Sequence, residues 1–233
     1  MSLLPRWLRS GPRLAPAQRE QLERYRHLDA VVASEPLDAI RFVVADVETS
    51  GLRPFHDCLI AIGAVAVSGG LLRLADSFEA VLRQDAPSGN DNILVHGIGG
   101  TAQLSGVEPA QALLGFLEYT GKCPLVGFHA DFDRVMIARA SRDALGIKPE
   151  NAWLDLACLA SALLHERAPK AKNLDEWTQA FGLENPARHN AVADALVTAQ
   201  LFQIVLAEAK RQGLATCADL ARIERGERWL RRR

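Results

Sequence analysis

Between Arg41 and Arg83 three apolar segments follow one another with only short polar connections: Arg41–Val47, Leu59–Val67 and about Asp76–Arg83. Each is rich in the β-branched and aromatic residues that suit strands, and "SGG" at Ser68–Gly70 marks a turn between the last two. Connections this short make antiparallel neighbours. A polar loop, "QDAPSGNDN", then precedes "ILVHGIGG", and beyond it the pattern changes. Helical spacing over Glu108–Thr120 puts Leu113, Leu114 and Leu117 on one inner face. "CPLVGF" is a short strand, Asp131–Leu145 a helix, and "AWLDL" a strand leading into the helix Leu156–Leu164. "NLDEWTQAFGL" is a short helix stopped by Gly182. A long helix lies within His189–Arg211, and another runs from about Cys217 to Leu230. Strands that alternate with helices pair in parallel. The expected fold is therefore α/β, a mixed five-stranded sheet flanked by helices, first an antiparallel meander and then parallel strands.

The chain has 233 residues, of which 48% are hydrophobic, enough for one well-buried domain with appendages. Residues 1–16 read as an irregular arm. From about Ala17 to Val32, the residues Leu22, Tyr25, Leu28 and Val32 recur at helical spacing. The resulting division is 1–38, arm and helix; 39–211, main domain; 212–233, basic helix and tail. The longest unbroken apolar run, Cys58 to Val67, is too short to span a bilayer. The Arg-rich start "MSLLPRWLRSGPRLAPA" is interrupted by prolines and lacks the apolar core of a signal peptide. Four scattered cysteines, none in a C-x-x-C pair, argue against thiolate metal sites and a disulfide framework, so a reducing cytoplasm is expected.

Charge is uneven. With +1 over residues 1–40 and +5 over 210–233, the span 41–209 is left with −7. A core this acidic must handle any polyanion through metal ions or a local basic patch. The tail "RIERGERWLRRR" is one such patch, or simply a solvated helix end.

Within "RFVVADVETSGL" two carboxylates, Asp46 and Glu48, stand at the end of a buried strand. Residues i and i+2 share a face, so the like charges sit side by side and need compensation. A divalent cation, which takes hard oxygen ligands, supplies it most directly. More carboxylates occur at the ends of neighbouring elements. "LVGFHADFDRVMI" has Asp131, read as a helix N-cap, and Asp133, which either complements the helix dipole or joins the site. "ARHNAVADALVTAQLF" has His189, Asn190 and Asp194, the last among small apolar neighbours where an unpaired acid is costly. Four carboxylates at three such junctions suit a two-metal centre with ions ~3.5–4 Å apart, the apparatus that cleaves phosphodiesters.

These stretches resemble, in order, the three motifs of the DnaQ-like 3′→5′ exonuclease family. "DVETSG" resembles the first, "HADFD" the second, and "HNAVADA" the third, whose histidine marks the DEDDh branch. "VHGI" at Val95–Ile98 also resembles a segment of the proofreading epsilon subunit of bacterial DNA polymerase III. The likeness covers roughly Arg41 to Leu206. It implies a ribonuclease H-like fold and a 3′→5′ exonuclease releasing nucleoside 5′-monophosphates. It further implies that Asp46, Glu48, Asp133 and Asp194 hold two Mg²⁺ or Mn²⁺ ions and that His189 is the general base. Thr49, Leu52, His96 and Phe132 would touch the terminal nucleotide. The implied partner is nucleic acid with a free 3′ end, DNA ahead of RNA, with a DNA polymerase as a second partner. Phe128 and His129 stand where the family commonly has His-Asn, and Ser50 replaces a Thr of the first motif.

The spacing of the third motif adds a constraint of its own. Residues five apart lie ~140° apart around a helix. His189 and Asp194 therefore cannot both face one site from within a helix, but Asn190 can be the N-cap, leaving His189 on the preceding loop and Asp194 inside the first turns. A haloacid-dehalogenase-like phosphatase is the alternative for "DVET", but it needs Asp where Glu48 stands and leaves "HNAVADA" unexplained. The chain stops soon after the exonuclease-like region, which favours a free-standing enzyme over a tethered proofreader or scaffold.

Overall fold

In the computed structural model, which describes residues 12–185 and 187–231, β1 (Arg41–Thr49) is the middle strand of five. β2 (Leu59–Ser68) and β3 (Leu71–Val81) extend the sheet on one side, and β4 (Leu125–Gly127) and β5 (Trp153–Asp155) on the other, in the order β3-β2-β1-β4-β5. The β1–β2 and β2–β3 pairs are antiparallel, whereas β1–β4 and β4–β5 are parallel. This is the mixed sheet the segment order predicts. Gly69 and Gly70 turn the β2–β3 hairpin with φ of 62° and 73°. Positive φ at both turn residues gives the hand that matches strand twist, and glycine adopts it without steric cost.

Side chains of β1 alternate between two apolar layers. Phe42 and Val44 pack with Val65, Leu159, Trp177 and Phe202 on one face, and Val43 and Ala45 with Ile62, Leu113, Phe116 and Met136 on the other. Each fully buried side chain of this size is worth about 1.5–3 kcal/mol. The first layer is covered by α6 (Leu156–Leu164), α7 (Leu174–Ala180), α8 (Ala191–Arg211) and α9 (Cys217–Leu230). The second is covered by α1 (Pro16–Arg26), α4 (Pro109–Thr120) and α5 (Asp131–Leu145).

The helix α8 crosses the sheet closely at Gly63 of β2, the residue paired with Asp46 across the ladder. A Cβ at Gly63 would lie 2.2 Å from the Ala191 carbonyl carbon, so the main chain of α8 rests directly on the main chain of the strand. By length and composition alone α8 could cross a membrane, which unbroken apolar runs did not reveal. However, 61% of its apolar stretch is buried in this fold, as befits a core helix.

Several expectations need correction. α1 ends at Arg26, not Val32, and Leu28 and Val32 are exposed. β3 begins at Leu71 because the tight turn continues the ladder at once, although Leu71 and Leu74 are exposed. β1 runs on to Thr49. The loop expected after β3 contains two short helices, α2 (Asn90–His96) and α3 (Gly100–Leu104). Asp131 is not a cap. Ala130 holds that position, and Asp131 is the first helical residue, paired with Arg134 and Arg228. Of the expected arm, residues 1–11 lie outside the described residues, as do the last two arginines of the basic tail.

Candidate active site

The C-terminal end of β1 brings Asp46 and Glu48 to the point where α5 and α8 begin. Carboxylate oxygens of Asp46, Glu48 and Asp194 all lie within 4.8 Å of one another. Asp133, in the first turn of α5, is buried behind them and accepts hydrogen bonds from its own N–H and that of Val47. It therefore borders β1 without joining the group of three. Gly127 lets the start of α5 pack close to β4, since a Cβ there would sit 3.2 Å from Ala130 Cα and Cβ.

Asp194 is positioned by the entry to α8. Asn190 is the N-cap, its Oδ1 accepting from the Ala193 N–H at 3.0 Å. His189 stands just before it with φ 60°, in the left-handed region, and donates its backbone N–H to Asp194 Oδ2 at 3.0 Å. Arg188 Nη1 lies 2.7 Å from the same oxygen, and its Nε lies 2.7 Å from Asp175 Oδ1. Asn185 Nδ2 donates to Asp194 Oδ1. The left-handed turn lets His189 and Asp194 serve one cleft despite their spacing.

Crowded acids in a desolvated place resist ionising. Burial raises Asp46 well above the usual carboxylate range, reinforced by Asp133, Asp194 and Glu48 and opposed by Arg188. Glu48 rises to about 8 through burial first and then the Asp194 charge. Asp133 also rises to about 8 through burial, although the two N–H groups on its carboxylate oppose this. The Arg188 guanidinium thus opposes the charge of Asp46, Glu48 and Asp194 but not that of Asp133. An all-oxygen donor set with surplus negative charge is what a hard divalent cation requires, so these residues fit Mg²⁺ or Mn²⁺.

Asp46, Glu48 and Asp194, but not Asp133, line a cleft of about 520 Å³ whose walls also include Thr49, Leu52, His96, Phe132 and His189. Leu52 is 86% exposed at the mouth, while Phe132 is half-buried. His96 is buried, with Nδ1 accepting from the Ile98 N–H, so Nε2 carries the proton donated to Asn92 Oδ1 at 2.9 Å. Asn92 Nδ2 then donates to the Thr49 carbonyl at 2.9 Å. Both nitrogens of His96 are engaged inside the protein, and the residue lines the cleft.

Sequence reasoning missed Asn92, Arg188 and Asp155. Arg188 was signalled by its place beside His189 in an otherwise acidic span. Asp155 supports the segment before α5. There Phe128 and His129 depart from the expected His-Asn, and His129 takes φ 61°. The His129 N–H donates to Asp155 Oδ1 at 3.2 Å, and Asp155 also caps α6. Arg228 of α9 lies 3.6 Å from Asp155 Oδ2 and 2.6 Å from Glu224 Oε1, and it also pairs with Asp131. A residue of the last helix thereby braces the entry to α5.

Comparison with known proteins gives this geometry a context. Residues 43–202 match the RNase T family model, described as an exonuclease. A DNA polymerase III subunit epsilon-like protein of Rhodobacter capsulatus is 31% identical over 81% of this chain and 27% of its own length. The PolC-type DNA polymerase III of Thermotoga maritima is 29% identical over 78% of this chain and 13% of its own. The chain thus spans less than a third of either relative. E. coli exonuclease I in complex with a dT13 oligonucleotide superposes with a TM-score of 0.63 at 19% identity, over 74% of this chain and 42% of that one. The fold is ribonuclease H-like.

Proposed function

This chain belongs to the DnaQ-like exonuclease family, and on that premise we propose that it is a DEDDh-type 3′→5′ exonuclease. It hydrolyses phosphodiester bonds from a free 3′ end and releases nucleoside 5′-monophosphates. The carrying observation is the convergence of Asp46, Glu48 and Asp194 within 4.8 Å, with Asp133 beside them and His189 on the adjoining loop.

Asp46, Glu48, Asp133 and Asp194 would hold two Mg²⁺ or Mn²⁺ ions, which when bound activate water and neutralise charge on the scissile phosphate. His189 takes the proton from the attacking water. The left-handed backbone at His189 and the Asn190 cap direct the imidazole to the cleft while Asp194 stays fixed in the helix. Leu52 and Phe132 sandwich the terminal base, and Thr49, held through Asn92 and His96, sets the floor beneath its sugar.

The substrate is DNA ahead of RNA. The relatives are DNA polymerase III proteins, and the similar exonuclease I was obtained with an oligothymidylate. A cytoplasmic setting agrees with four cysteines scattered along the chain with no C-x-x-C pair. A polymerase partner is a second reading, favoured by the names of the relatives. Equal-stoichiometry co-purification with a polymerase from native lysate is its test.

The primary test uses 5′-labelled oligonucleotides. A ladder shortening from the 3′ end with Mg²⁺ is expected, with no turnover in EDTA and resistance of a 3′-blocked strand. Shortening from the 5′ end, or full activity in EDTA, would overturn the proposal.

A further inference from the structure

Four cations line a groove of about 300 Å³ beside the cleft: Arg134, Arg139, Arg142 and Lys148. Among the described residues, no carboxylate lines it. Val135, Ala138, Arg139 and Arg142 lie at i, i+3, i+4 and i+7 on α5, so one helix face presents an apolar floor with guanidinium groups around it. Phe55 forms the opposite wall from the loop that follows β1, and it is 76% exposed. Arg139 fixes that loop to the helix by donating to the Asp57 carbonyl. Arg134 pairs with Asp131 at 3.0 Å, whereas Arg142 and Lys148 are exposed. An exposed phenylalanine ringed by cations in a span of −7 is out of keeping with a merely solvated surface.

The groove and the cleft have no lining residue in common but draw on the same two segments of the chain. Leu52 lines the cleft and Phe55 the groove; Phe132 lines the cleft and Arg134 the groove. We infer that the groove holds the sugar–phosphate backbone of a single strand whose 3′ end lies in the cleft, with an upstream base stacked on Phe55. Positive charge tracking the backbone, joined to an aromatic platform, is how single strands are held without base readout. It also answers how a chain with an acidic core retains a polyanion away from its carboxylates. The inference rests on the exonuclease reading for the placement of the 3′ end.

The test uses the full chain carrying Asp46→Asn for binding, and the otherwise native chain for turnover. Affinity for a fluorescent twelve-nucleotide oligothymidylate is measured by anisotropy across a KCl series. Loss of two phosphate contacts in Arg142→Gln/Lys148→Gln should make the log–log salt slope shallower by about 1.4, and Phe55→Ala should weaken binding about five- to a hundredfold. In turnover, the double variant should lose preference for the twelve-mer over the dinucleotide, read as a ratio of kcat/KM. An unchanged salt slope and ratio would overturn the inference. So would a glutamate dodecapeptide that competes equally well and is indifferent to Phe55→Ala, because the groove would then dock an acidic protein. If the native chain cleaves neither substrate but binds the twelve-mer with the groove-dependent slope, the exonuclease reading fails and the strand-binding groove stands.

Discussion

Arg188 Nη1 lies 2.7 Å from Asp194 Oδ2, and the acid is 5% exposed where the guanidinium is 34% exposed. The same acid is a proposed cation ligand, so the arginine and the cation compete for it. Arg188→Gln should lower the metal-free thermal midpoint, by the equivalent of about 1–2 kcal/mol after allowing for the solvent reaching the arginine. The rise in midpoint on adding Mn²⁺ should be larger than in the native chain, because no guanidinium has to be displaced. Differential scanning fluorimetry reads both, and an equal Mn²⁺ response in the two proteins would show that Arg188 does not compete.

Metal-free stability should fall as pH rises. Glu48 and Asp133 titrate near 8 in the folded state and near ordinary carboxylate values, about 4, when unfolded. Between those values the folded state binds more protons than the unfolded one, so each unit of pH upward favours unfolding. In EDTA the midpoint should decline from about pH 5 to pH 8, and Mg²⁺ or Mn²⁺ should flatten that decline by favouring the ionised acids. A metal-free midpoint that climbs over this window would contradict the assignment.

His189 is tested by removal. His189→Ala should cut the chemical step by about 10²–10⁴-fold, the usual worth of a positioned acid–base group. The rising limb of kcat against pH should disappear, while the Mn²⁺-induced shift in midpoint persists. Asp194→Ala should instead diminish that shift along with the rate. Near-native turnover in the histidine variant, measured under single-turnover conditions, would remove it from the mechanism.

The brace from α9 has a separate signature. Arg228→Met keeps the aliphatic stem but releases Asp131, Glu224 and Asp155. We expect a lower midpoint and a weaker Mn²⁺ response, since Asp133 follows Asp131 in the same helical turn. Arg228→Lys should restore part of both. Calorimetric titration with Mn²⁺ checks this, and a loss of stability with unaltered Mn²⁺ affinity would reduce Arg228 to a structural tie.

Much of this arrangement was legible because it is local. The buried runs of β1 and β2 announce themselves by composition, and an Asn190 cap was one way the sequence offered out of the angular misfit between His189 and Asp194. What stayed hidden depends on distant contacts. α2 has no apolar period: Leu94 is 83% exposed, and the helix is held by the left-handed Gly97 cap and the bond from Asn92 to Thr49. Gln103 is completely buried, where it bonds Ser88 and the Ile98 carbonyl, although nothing in "TAQLSG" suggests a core glutamine. Arg228 lies 97 residues from Asp131, beyond any local pattern.

Gly63 bears on which ion the proposed site would accept. The helix carrying Asp194 is held against β2, the strand paired with Asp46, by main chain on main chain, a contact with no side chain to yield. Mg²⁺ takes oxygens at about 2.0–2.1 Å in a strict octahedron, whereas Ca²⁺ prefers about 2.3–2.6 Å and a looser shell. A frame of incompressible width has little freedom to relax around the larger ion. With ions bound as proposed, discrimination by ionic radius would rest in part on a glycine that touches no ion, one strand away from the carboxylates.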